Sequence, residues 1–145
     1  MKELYYRKIW LVVGFLLFCA VVFLSLTPTI EGPPQFPWLW LNKIFEYDHI
    51  DKIFHYMSYL MLAFWFSGIH EKKGIPRIFF VFFLMGTVIE ILQYFVPGRS
   101  TDVMDILFNT FGNISGIILV FLFFPDFLVR LDRKIYSKLK MPLVD

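Results

Sequence analysis

Four stretches of the chain, residues 9–26, 53–69, 78–96 and 106–124, are apolar or nearly so over 17 to 19 residues each. One α-helix of that length crosses a hydrocarbon core of about 30 Å. Backbone amides in lipid have no water to bond, so such runs fold as helices even where β-branched and aromatic residues are dense. The composition agrees. Hydrophobic residues make up 58 % of the 145 and charged residues 18 %, with 19 Phe, which leaves too little polar surface for a water-soluble domain. The reading is an all-α membrane protein: one domain, residues 1–145, built as a bundle of four transmembrane helices. Pro28 and Pro97 close the first and third helices; Pro76 precedes the third and Pro125 follows the fourth. The basic start (Lys2, Arg7, Lys8) resembles a secretion signal, but no small-x-small cleavage site follows, so the first run is read as a retained helix. Cys19 is the only cysteine, which excludes an internal disulfide.

The positive charges set the expected orientation. Lys2, Arg7 and Lys8, then Lys72, Lys73 and Arg77, then Arg130, Arg133, Lys134, Lys138 and Lys140 place 11 basic residues on one side. Lys43, Lys52 and Arg99 make three on the other. Cytoplasmic flanks collect Lys and Arg, so both termini are expected in the cytoplasm. The tail after Pro125 interleaves its cations with Phe127, Leu128, Leu131, Ile135 and Leu139 near helical spacing. It reads as a cytoplasmic amphipathic segment suited to an anionic leaflet. The loop between the first two helices is Pro-rich, and Trp38 and Trp40 suit the headgroup level.

The polar residues inside this frame are the informative ones. Asp51, His55 and Tyr59 are spaced i,i+4, with Lys52 three residues before His55, so all four share a helical face. Glu90 and Gln93 lie near the end of the third run, followed by the Pro97-Gly98-Arg99 turn. Asp102, Asp105, Asn109, Gly112 and Gly116 trace one face of the fourth. All these groups fall at the outward ends of their helices. Ionisable side chains at such depth are costly and turn inward to pair, so an outward-open polar pocket is expected, with Arg99, Lys52 or His55 as partner for Glu90. Asp102 is equally read as a plain helix cap. Gly112 and Gly116 are read as a helix-packing face.

In this order the residues resemble the VanZ-like family of small bacterial membrane proteins. The match runs from Asp51-Lys52-x-x-His55-x-x-x-Tyr59, through Glu90-x-x-Gln93-x-x-x-Pro97-Gly98-Arg99, to Asp102-x-x-Asp105-x-x-x-Asn109-x-x-Gly112-x-x-x-Gly116, over about residues 50–117. The resemblance implies a bacterial cytoplasmic membrane, an envelope role and a link to glycopeptide susceptibility, but no reaction.

Three functions fit these residues. The first is binding of an anionic lipid or cell-wall precursor headgroup, with Lys52, His55 and Arg99 as contacts and Asp51, Tyr59, Glu90, Gln93, Asp102, Asp105 and Asn109 completing the site. The second is an acid–base enzyme using His55, Glu90 or Asp105, although no nucleophile is evident. The third, ranked last, is proton-coupled transport through Glu90. Only His55 lies among the polar residues of the bundle and no two-His zinc spacing occurs, so no metal is assigned; a carboxylate-held Mg²⁺ stays open. No phosphate-cradling Gly-rich loop is present, so no cofactor is assigned. The basic residues cluster at membrane edges, so the expected partner is the lipid bilayer and not nucleic acid.

Overall fold

The structure, a computed structural model, describes residues 3–28 and 48–140. Trp38, Trp40 and Lys43 lie outside the described residues. There are five α-helices among them: α1 (Arg7–Ser25), α2 (Asp48–Ile69), α3 (Ile75–Gln93), α4 (Val103–Leu122) and α5 (Phe127–Lys140). A single 3-10 turn, Lys72–Gly74, leads into α3. No strand occurs among the described residues.

Among the described residues, three segments are long and apolar enough to cross a membrane: Arg7–Ser25, Lys72–Gln93 and Val103–Leu122. The fourth expected span, residues 53–69, lies within α2. That helix has 22 residues, but Asp51, Lys52 and His55 near its start keep it below the apolarity of the other three. Large apolar side chains such as Phe15, Phe23, Phe80, Leu84, Phe111 and Leu122 face outward. So much exposed apolar surface is costly in water and suits lipid.

Helix ends differ from the sequence reading for local reasons. Pro76 lies inside the first turn of α3 instead of before it, where its missing N–H costs no hydrogen bond. The same helix stops at Gln93, three residues short of the expected end, because the residue ahead of Pro97 is driven out of the helical region. α4 starts at Val103, ahead of the apolar run at 106, in keeping with the cap reading of Asp102: its Oδ1 accepts the Met104 N–H at 2.8 Å.

The bundle is built around α2 and α4. Gly112 and Gly116 let these two backbones touch. A Cβ on Gly112 would collide with the Tyr56 carbonyl oxygen, and one on Gly116 would lie 2.8 Å from the Phe64 amide nitrogen. Small residues one turn apart permit such an approach where apolar driving force between helices is weak. Tyr59, Leu62 and Ala63 of α2 pack with Val21 of α1 and Ile78 and Phe82 of α3 in the main core.

At one end of the bundle α5 folds back onto the start of α1. Leu128 packs with Trp10 and Ile69, and Tyr136 stacks on Tyr5 with ring centroids 3.9 Å apart. Asp132, 1 % exposed, accepts hydrogen bonds from the Tyr5 N–H at 2.6 Å, the Tyr6 N–H at 3.0 Å and the Trp10 indole N–H at 2.7 Å. A carboxylate at this position satisfies donors that the helix leaves open and offsets the positive end of its dipole.

Candidate functional site

The opposite end of the bundle gathers the polar residues. Asp51, Lys52, His55 and Tyr59 come from α2, Glu90 from α3, Arg99 from the turn after it, and Asp102, Asp105 and Asn109 from the start of α4. The turn is made possible by Gly98, whose φ of 74° lies in the left-handed region. The close α2–α4 approach then brings their two polar stripes face to face.

His55 is at the centre, 7 % exposed. Its Nδ1 lies 3.2 Å from Asn109 Oδ1. Its Nε2 faces two carboxylate oxygens, Asp51 Oδ2 at 3.7 Å and Asp105 Oδ2 at 3.8 Å. The other oxygen of each carboxylate points to a cation. Asp51 Oδ1 is 3.5 Å from Arg99 Nη1, and Asp105 Oδ1 is 3.9 Å from Lys52 Nζ. Lys52 Nζ also lies 2.8 Å from Asp102 Oδ2 and donates a hydrogen bond to it. That bond, followed by the one from the Met104 amide, holds the Asp102 carboxyl below its ordinary range. Asp102 is thus both cap and ion-pair partner.

Arg99 sits at the rim. Besides Asp51 it donates to the carbonyls of Thr27 through Nε, at 3.3 Å, and of Leu24 through Nη2, at 3.4 Å. Carbonyls at the end of α1 carry the negative end of its dipole, a suitable place for a guanidinium.

Glu90 is 3 % exposed. The expected cationic partner is replaced by a backbone one: its Oε1 accepts the Asp102 N–H, because the Gly98 turn swings the start of α4 across the end of α3. Gln93 is not drawn into the network around His55. It donates to the Ser25 carbonyl at 3.0 Å and ties α3 to α1. Tyr59, 1 % exposed, lies deeper. A Cβ on Gly86 would be 3.3 Å from the Tyr59 hydroxyl and 3.3 Å from Asn109 Nδ2.

Two residues absent from the sequence reading carry weight. Asn113, fully buried, donates to the Phe79 carbonyl at 2.9 Å. It lies one turn beyond Asn109, so the helical step from Asn109 could have flagged it. Asp132 gave no such signal, since it reads as one charge among many in a basic tail.

Four side-chain atoms of the cluster are buried without a hydrogen-bond partner: Tyr59 Oη, Glu90 Oε2, Asp105 Oδ1 and Asn109 Nδ2. Two shallow apolar grooves of the described surface lie away from the cluster. One is lined by Met57, Met61, Phe64 and Leu119, the other by Phe18, Cys19, Val22 and Phe23.

Apolar helices that surround a charged cluster at one end of a small bundle define a helical membrane protein. The family model described as VanZ/LLP1 matches residues 10–124, and the chain belongs to this family. The match takes in α1, beyond the residues 50–117 that carry the motifs. Comparison with curated proteins and with solved structures found no match.

Proposed function

We propose that the cluster around His55 is a binding site at the outer face of the bacterial cytoplasmic membrane. Its ligand is the phosphate or carboxylate of an envelope lipid or cell-wall precursor headgroup. In this reading α2 is the fourth membrane crossing. Both termini, with the basic face of α5, lie at the inner leaflet. The 11-to-three division of basic residues supports that orientation. So does the Asp132 latch, which holds the start of α1 and the tail at the same end.

One observation carries the binding reading. A polar network kept for packing satisfies its members, because each orphaned buried group costs about 1–3 kcal/mol. Of the six such side-chain atoms among the described residues, four lie in this one cluster and two, Ser67 Oγ and Asn113 Oδ1, lie apart from it; that concentration supports a place where something else bonds. Arg99 suits the recognition role. Three of its N–H groups reach partners, all at 3.3 Å or more, and a guanidinium has five. Its planar fork grips phosphate or carboxylate at two points, which an ammonium cannot do.

Arg99→Lys and Glu90→Gln test this together. Membrane abundance and susceptibility to a glycopeptide antibiotic are measured in the same cells. Normal abundance with a lost phenotype is the expected result. A phenotype that falls only in step with abundance, or full activity in both variants, makes the cluster structural. Reporter fusions at Asp145 and near Gly32 test the orientation, and an external C-terminus overturns it.

A further inference from the structure

We infer that Asp51, His55 and Asp105 form a divalent transition-metal site, with Zn²⁺ or Mn²⁺ as the class of ion. One ligand atom from each of the three lies within 4.8 Å of the others. The ring of His55 is the key. In the tautomer that donates Nδ1–H to Asn109 Oδ1, the lone pair of Nε2 lies on the side of Asp51 Oδ2 and Asp105 Oδ2. Three acceptors then face one another, an arrangement that calls for a cation among them. Donors around such an ion at a tetrahedral angle are about 3.4 Å apart. The two edges from His55, 3.7 and 3.8 Å, need to close by a few tenths of an ångström, and the edge between the carboxylates lies within 4.8 Å.

The outer shell has the form that metal ligands require. A ligating histidine normally donates its other N–H to an acceptor, and ligating carboxylates are themselves held. Asn109 does the first for His55. Arg99 and Lys52 do the second, each on the carboxylate oxygen turned away from the imidazole. Burial adds to this: Asp105 is 4 % exposed, its Oδ1, 3.9 Å from Lys52 Nζ, makes no hydrogen bond, and its Oδ2 faces the imidazole at 3.8 Å, so a buried carboxylate meets the site with only long ion-pair contacts. The charge also fits. Among the described residues of the cluster, the four carboxylates Asp51, Glu90, Asp102 and Asp105 outnumber the cations Lys52 and Arg99, and a divalent ion offsets the acidic excess. Asp51, at 34 % side-chain exposure, is the accessible ligand, so the open coordination positions face the rim and Arg99. An anion there bridges the metal and the guanidinium. The ion site stands on geometry alone, whereas the bridging anion rests on the function proposed above.

The test uses the full chain in lipid nanodiscs, stripped with a chelator and titrated with Mn²⁺ and with Zn²⁺. One saturable equivalent per chain is expected, together with a nitrogen coupling from an imidazole in the Mn²⁺ electron-spin-echo spectrum. Asp51→Asn, a change at a half-exposed position that spares the buried imidazole, should weaken binding about tenfold or more. His55→Gln should remove the nitrogen coupling. Absence of saturable binding by the unaltered chain overturns the site. So does unchanged affinity in Asp51→Asn, or a nitrogen coupling that persists in His55→Gln. Metal binding that survives while Arg99→Lys keeps its full phenotype supports the metal site and overturns the anionic-headgroup reading.

Discussion

Each end of this bundle buries carboxylates, and the two ends treat them differently. At the end where α5 meets α1, Asp132 accepts three hydrogen bonds within 3.0 Å. At the other end, Glu90 and Asp105 each keep a buried oxygen without a hydrogen-bond partner, and Tyr59 and Asn109 each keep an orphaned polar atom. A saturated carboxylate stabilises; an unsaturated one is held ready at a cost in stability. Burial alone therefore does not tell the two ends apart; the saturation of their carboxylates does.

The largest effect should come from removing the saturated group. Asp132→Ala leaves two backbone N–H groups and an indole N–H without their charged acceptor, so a loss of about 3 kcal/mol or more is expected. Denaturation in detergent measures it, and an unchanged midpoint would dissolve the contrast. Gly112→Ala comes next, at about 2 kcal/mol, from overpacking against the Tyr56 carbonyl. Because α2 and α4 carry His55 and Asn109, spreading them should slow binding or abolish it at the polar end. Protection of the Tyr5 and Tyr6 amides from hydrogen exchange, at the Asp132 end, should persist. Equal loss of protection at both ends would show that the ends are one cooperative unit.

Glu90→Gln should cost less than about 1 kcal/mol, since the amide oxygen still accepts the Asp102 N–H. A loss as large as that of Asp132→Ala would mean that Glu90 is structural too. The smallest effect is the acid dependence of the α4 cap. The folded Asp102 carboxyl titrates lower than in the unfolded chain, with Lys52 as the first cause. Its contribution is complete above the ordinary carboxylate value of 3.8 and disappears as pH falls through the folded one. The group is largely solvated, so screening keeps the contribution small. Met104 amide exchange should accelerate over that acid range in the unaltered chain and not in Asp102→Asn.

The two ends also differ in how far they were legible. The polar end is local in sequence: its stripes repeat at helical spacing on α2 and α4, and periodicity exposes them. Which partner each group takes was not legible. Glu90 bonds a backbone N–H and Gln93 a carbonyl of α1, and both depend on where α3 stops and how the Gly98 turn runs. The Asp132 end was illegible, because its contacts join residues 126 or 127 positions apart and nothing periodic marks a lone aspartate in a basic helix. The apolar runs showed where helices form; α2, charged near its start, is the one whose crossing composition leaves open.

The first helix is held at both extremities by side chains made later: Asp132 at its start, and Gln93 and Arg99 at its finish. Little of its own flank is buried; Trp10, Gly14 and Val21 are its only buried residues. During biosynthesis, then, α1 can meet α2 and α3 through Val21 and Trp10 before Asp132 has been made, and the contact that ties down its start is among the later ones to close.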